Sequence, residues 1–225
     1  MMIGPEGYYE VNLKGKTKQE ILKKIRSLKR EINQLKRSLE EHFLESEEMF
    51  PTRLTRLKCY RNYLDHAIRA YEEAGCRYVP TKAEQKSRDF DASLDSLQKM
   101  VFSIGGFFGG YETRTYTVSG DKVILDVEHS LTLKPSNLPV FYPFTKEEFI
   151  SGLREIHIGE WKRKYDDPLV MDGTQWELEI HFDGNSKPVR IYGSNAYPYN
   201  FQDLIDFLGI EEEEIEDEEE TEEDE

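Results

Sequence analysis

The chain has 225 residues, 37% of them apolar, and its 13 tyrosines, 12 phenylalanines and 2 tryptophans can fill one good core with an appendage beside it. No stretch nears the ~20 apolar residues of a membrane span. Met1–Met2–Ile3–Gly4–Pro5–Glu6 lacks the basic region and apolar run of a secretory leader. The net charge of −15 is sorted by segment: Lys14–Arg37 carries ten Lys/Arg against Glu20 and Glu31, while Glu211–Glu225 carries thirteen acids and no base.

A helix is predicted from Thr17 to about Leu44, with Thr17 and Glu20 as a capping box. Ile21, Ile25, Leu28, Ile32, Leu35 and Leu39 recur at spacings of four and three, a heptad seam. Pro51 interrupts. A second helix, about Thr52–Ala74, carries Leu54, Leu57, Leu64, Ile68 and Tyr71 on one stripe before Gly75. Two such helices joined by a short break favour an antiparallel hairpin, and a homodimeric coiled coil through the first helix is the alternative. Cys59 and Cys76 are read as part of a helical stretch, where a rise of 1.5 Å per residue over seventeen residues keeps them roughly 25 Å apart, too far for a disulfide. The expected address is a reducing cytoplasm.

Pro80–Glu84 opens a third capped helix, extended by Phe90, Leu94 and Leu97. The apolar period then changes to two. Met100–Phe108, Glu112–Val118 and Lys122–Leu133 read as strands, the last with Val123, Leu125, Val127, His129, Leu131 and Leu133 on one face. Thr145–Glu148 caps a helix running to about Ile156. Trp176, Leu178, Ile180 and Phe182 alternate with polar residues, Asp183–Ser186 turns the chain, Lys187–Gly193 pairs back, and Asn200 starts a short helix, Phe201–Leu208. The expected fold is α+β: a helical hairpin arm over 1–88, an antiparallel sheet with helices on one face over 89–210, and a disordered acidic tail over 211–225.

The basic helix is the first functional candidate, with Lys23, Lys24, Arg26, Lys29, Arg30, Lys36 and Arg37 placed to meet phosphates or an acidic protein surface. A solvated helix face explains the same residues, and no aromatic lies among them to stack on single-stranded bases. The acidic tail can screen that face in cis, or serve only as solvated chain.

Other chemistry finds little support. Ile104–Gly110 is glycine-rich but lacks the Gly-Lys-Ser/Thr ending and the helix of a phosphate loop, so it reads as a bend or close packing. His42, His66, His129, His157 and His181 have no metal-ligand spacing, so no metal or other cofactor is expected. His129 is expected as a hydrogen-bonded core residue, His181 as a solvated one. Asp172 with Glu177 or Glu179 sketches a metal-dependent hydrolase, without the lysine two residues on that would help activate water.

The densest pattern is Trp161…Tyr165–Asp166–Asp167…Asp172–Gly173–Thr174–Gln175–Trp176, followed by Gly193–Ser194–Asn195–Ala196–Tyr197–Pro198–Tyr199–Asn200–Phe201. Asp-Gly-x-x-Trp leading through a hairpin into Gly-x-Asn-x-x-Pro-x-Asn-Phe resembles a C-terminal module of uncharacterised bacterial proteins, over roughly Ile156 to Leu208. The resemblance implies an ordered hairpin–helix unit and brings no activity with it. Should the unit bind a ligand, Trp161, Tyr165, Asn195, Tyr197 and Tyr199 would line its groove. The sequence therefore points to a non-enzymatic interaction protein of a bacterium or phage, meeting a protein or anionic polymer through residues 14–37 and no membrane. A nucleic-acid-binding factor is the second reading, the hydrolase the third.

Overall fold

Three helices start on one device. Thr17, Thr81 and Thr145 each accept a hydrogen bond from the N–H three residues on, and Glu20, Glu84 and Glu148 bond back to the cap backbone. Orphan amides are satisfied in pairs, which pins where each helix begins. The computed structural model describes residues 3–43, 50–106, 109–131, 140–170, 173–184 and 187–210. Within them lie α1 (Pro5–Asn12), α2 (Lys18–Glu41), α3 (Arg53–Glu73), α4 (Lys82–Ser93), α5 (Lys146–Ile156) and α6 (Phe201–Leu208). The acidic segment 211–225 and Asp172 lie outside the described residues.

Among the described residues seven strands form one sheet: β1 (Leu97–Gly106), β2 (Gly110–Ser119), β3 (Lys122–His129), β4 (Val140–Thr145), β5 (Lys164–Asp166), β6 (Gln175–Phe182) and β7 (Val189–Ser194). Their order is β4-β3-β2-β1-β6-β7-β5. The fold is α+β, as expected, but the sheet is mixed rather than antiparallel throughout, because β5 pairs parallel to β7. Three residues are too short for a period-two signal, so the sequence carried no sign of this edge.

Register places Met100 beside Ile180 and Tyr116, and Phe102 beside Leu178. These side chains are fully buried and share one core with Leu57 of α3, Phe149 and Leu153 of α5, and Leu204 and Leu208 of α6. The helices therefore gather on that face. The other carries Ser103, Thr113, Thr115, Glu177 and Tyr192, the last 48% exposed.

The heptad seam of α2 is covered within the chain. Ile21, Ile25 and Leu28 pack with Tyr63, Ala67 and Ala70, whereas Ile32 and Leu35 enter the main core with Leu57. The Arg53 guanidinium donates to the Ser38 carbonyl 3.0 Å away, so the start of α3 meets the end of α2. A coiled-coil dimer through this seam would have to uncover it. Cys59 and Cys76 are free, and among the described residues no helix is long and apolar enough to cross a membrane.

Candidate functional site

Two sets of bases leave α2 in different directions. A spacing of seven is close to two helical turns, so Lys29 and Lys36 share one face and Lys23, Arg30 and Arg37 another. The first set is neutralised. Lys29 Nζ lies 2.6 Å from Glu84 Oε1 and 4.8 Å from the centre of the Tyr78 ring. Burial alone would raise the Glu84 pKa, but hydrogen bonds from Lys29, the Thr81 cap and Tyr78 outweigh it and hold the carboxyl at about 2.

Lys36 Nζ reaches Glu160 Oε2 at 2.6 Å. Arg61, from α3, donates to Glu160 Oε1 at 3.2 Å, to Oε2 at 2.5 Å and to the Tyr199 hydroxyl at 2.6 Å. Tyr199 in turn donates to Glu160 Oε2 at 2.6 Å. These side chains are mostly covered: Lys36 is 19%, Arg61 18% and Glu160 24% exposed. Burial opposes ionisation of Glu160, yet the two cations and their hydrogen bonds keep its pKa at about 2. Burial lowers the pKa of Lys36 and raises that of Tyr199 well above its ordinary value. A carboxylate held this firmly in its ionised form is a poor general base near neutral pH. The cluster is a clamp that ties α2 and α3 to the turn at Ile158–Glu160.

Over the clamp opens a cleft of about 950 Å³, bounded by α2, α4 and the chain at 159–166 and 196–199. Here the two sets of sequence candidates converge: Lys29, Lys36 and Arg37 line it together with Tyr165, Tyr197 and Tyr199. Tyr197 stacks on Phe43 with ring centres 4.5 Å apart. Tyr165 accepts a hydrogen bond from the Lys162 N–H at 2.9 Å, and burial raises its pKa. Lys162 pairs with Glu40 and Lys164 with Asp166 on the walls.

Trp161 and Asn195 do not reach the cleft. Trp161 is 2% exposed in the core and donates its indole N–H to Asn200 Oδ1 at 3.0 Å. Asn200 donates onward to the Ile156 carbonyl. Asn195, at φ 54°, donates to the Val170 carbonyl at 3.2 Å and lies against Gly173, where a Cβ would stand 2.0 Å from its Oδ1. Gly193 likewise leaves room for the Trp176 indole, whose N–H donates to the Ala196 carbonyl at 3.0 Å. The motif residues thus meet one another: glycines sit under Trp176 and Asn195, and Asn200 ties Trp161 to α5.

The second set of α2 bases faces solvent. Lys23, Arg26, Arg30 and Arg37 are exposed, and none makes an ion pair among the described residues. Lys24 Nζ donates to Asn12 Oδ1 at 3.0 Å.

His129 is corrected from core to surface. It occupies the inward side of β3, but at the strand's last position, beyond the buried core, with its side chain 43% exposed and Nδ1 3.9 Å from Glu112 Oε2. His181 is partly exposed and lies 2.9 Å from Glu179 Oε1. Glu177 and Glu179 sit on the open sheet face, and no metal-holding group of three or more His, Cys, Asp or Glu occurs among the described residues. Gly105 and Gly106 pair with Tyr111 and Gly110 in a tight hairpin, where a Cβ on Gly105 would stand 2.0 Å from the Gly110 carbonyl oxygen. Close packing accounts for these glycines.

No family model, curated protein or solved structure matches the chain.

Proposed function

We propose that the chain is a non-enzymatic interaction protein that meets an acidic protein surface through the solvent face of α2. The observation that carries this reading is the stripe Lys23, Arg26, Arg30 and Arg37, exposed and without ion pairs among the described residues, on a helix where Lys29 and Lys36 are neutralised. Unpaired cations at helical spacing retain their charge for a partner, and they speed encounter by long-range attraction. In this reading α2 and α3 act as an antiparallel hairpin with α2 outward. The unit over 156–208, resembling the bacterial module, is its rigid base, and the acidic tail tunes the stripe. The working compartment is a reducing cytoplasm.

The test compares the full chain with Arg30→Glu/Arg37→Glu as baits. A partner retained by the first and released by the second supports the reading, and equal retention refutes it. Fluorescence anisotropy with labelled duplex DNA, single-stranded DNA and RNA separates the nucleic-acid alternative. Binding that weakens steeply with salt and disappears in the double variant would replace the protein partner with nucleic acid.

A further inference from the structure

The same stripe has an occupant within the chain. From Lys23 to Arg37 it carries Ser27 and Gln34 between its bases, and one acid, Glu31, borders it and accepts from Ser27 at 3.1 Å. Fourteen residues at 1.5 Å each give it a length of about 21 Å, the span of roughly six or seven residues of extended chain. Beyond Ile210 follow fifteen residues with thirteen acids and no base.

The place where the described chain ends sets the reach. Phe201, at the start of α6, lies against Phe43 just past the end of α2, with ring centres 6.1 Å apart. The far end of α6 is fixed by Arg114, which donates to the Leu208 and Gly209 carbonyls, and by the Ile210 N–H on the Ile205 carbonyl. Nine residues of rise along α6 and six back along α2 put Ile210 within about 30 Å of Arg37. Fifteen residues extend to about 50 Å, and mutual repulsion of thirteen like charges favours the longer separations. The Arg37 end of the stripe is thus within reach of the tail, and Lys23, about 21 Å farther along α2, stands at the limit of its extended length.

The cleft beside the stripe is a weaker competitor for the tail. Four of its bases, Lys29, Lys36, Lys162 and Lys164, already hold Glu84, Glu160, Glu40 and Asp166, and Arg37, on its rim, belongs to the stripe as well. A tethered segment is present at an effective concentration in the millimolar range, so even weak pairing with four unpaired cations keeps it bound.

We infer that Glu211–Glu225 occupies the Lys23–Arg26–Arg30–Arg37 face of α2 in cis, as an intramolecular competitor that an acidic partner must displace. This inference rests on the reading of that face as a binding surface. Its consequence is regulatory: the partner's apparent affinity is set by the tail's charge, and any change that neutralises the tail exposes the stripe.

The direct test is carbodiimide coupling of carboxylates to lysines in the full chain, read by peptide mass mapping of the monomer. A variant with Arg26→Lys, Arg30→Lys and Arg37→Lys keeps the charge and makes the whole stripe reactive. Tail carboxylates joined to positions 23, 26, 30 and 37 at low salt, and lost at 0.5 M NaCl, are the expected result. Coupling spread over Lys146 and Lys187, or found only between two copies, overturns the inference.

The second arm measures a fluorescein-labelled polyglutamate peptide against the full chain and against a full chain whose thirteen tail acids are glutamine. Roughly tenfold tighter binding by the neutralised tail is expected at low salt. Equal binding that is abolished by Arg30→Glu overturns cis occupancy and leaves the binding surface standing. Tail coupling to the stripe, with no peptide bound by either chain, supports cis occupancy and removes the surface as a partner site.

Discussion

Lys36 and Arg37 are neighbours in sequence, yet one lies under a carboxylate and the other in water. Lys36 is 19% exposed and shares Glu160 with Arg61, whereas Arg37 has no ion pair among the described residues. The two faces of α2 carry the same residue types at the same spacing of seven. The difference between them is made elsewhere in the chain, by Glu84 at the cap of α4 and Glu160 after α5. A run of bases is therefore two features, a structural clamp and a free surface, and only counter-charge from distant segments separates them.

Removing Glu160 should have the largest effect on the difference between the two faces. Glu160→Gln leaves Lys36 and Arg61 close together, mostly covered and without an anion. Breaking a fully buried pair costs about 3–5 kcal/mol, and with Glu160 24% exposed the expected loss is about 2–3 kcal/mol. For a chain of this size that lowers Tm by roughly 5–10 °C, measurable by thermal unfolding. An unchanged Tm would mean that the clamp contributes nothing and that both faces of α2 are equally free.

Acid sharpens the same contrast. His157 caps α5 at φ 57°, and burial with the nearby Arg61 charge lowers its pKa from 6.5 to about 4. The native imidazole stays neutral where the unfolded one protonates, so stability falls as pH drops from about 6.5 to 4 and is unaffected above that window. Glu160 follows lower: its contribution is complete above 4.5 and is lost as pH falls toward 2. His157→Asn keeps a side chain that tolerates positive φ and removes the titration. Denaturant melts from pH 7 to 4.5 should show a decline of roughly 1–2 kcal/mol in the native chain, allowing for partial exposure, and a much shallower one in the variant.

Much of the frame was legible locally. Thr17, Thr81 and Thr145 announced their helices, the α2 seam named its inward residues, and the alternation from Trp176 to Phe182 marked β6. Each of these signals lives within a few residues of chain. The elements that escaped notice lack that signal: α1 is eight residues long with Gly7 in its first turn, β4 holds Pro143, and β5 is three residues long. The clamp escaped for a different reason. Lys36 and Glu160 stand 124 residues apart, and Arg61 and Glu160 stand 99 apart, so no window of sequence contains the pair. Of the groove residues, the three tyrosines line the cleft. Trp161 and Asn195 are instead held by Asn200 and Val170, contacts that composition could not distinguish from ligand contacts.

A smaller effect comes from the other neutralised base. Glu84→Gln keeps a hydrogen-bonding side chain in the α4 capping box but loses the charge opposite Lys29, whose side chain is 22% exposed. A partly solvated pair contributes about 1 kcal/mol or less, so the loss should be detectable in denaturant melts and clearly below that of Glu160→Gln.

The last comparison is between the two neighbours themselves. Lys36→Met removes one of two cations from Glu160 and leaves Arg61 in place, so about 1 kcal/mol is lost. Arg37→Met removes a charge with no counter-charge, and exposed substitutions of this kind change stability by no more than about 0.5 kcal/mol. Affinity for an acidic partner should respond in the opposite order, weakened by Arg37→Met and little altered by Lys36→Met, whose charge already belongs to Glu160. Paired melts and binding isotherms on the two variants would show that reversal. Two variants that moved together in both assays would mean that α2 acts as one uniform cationic surface, and the division between clamp and stripe would fail.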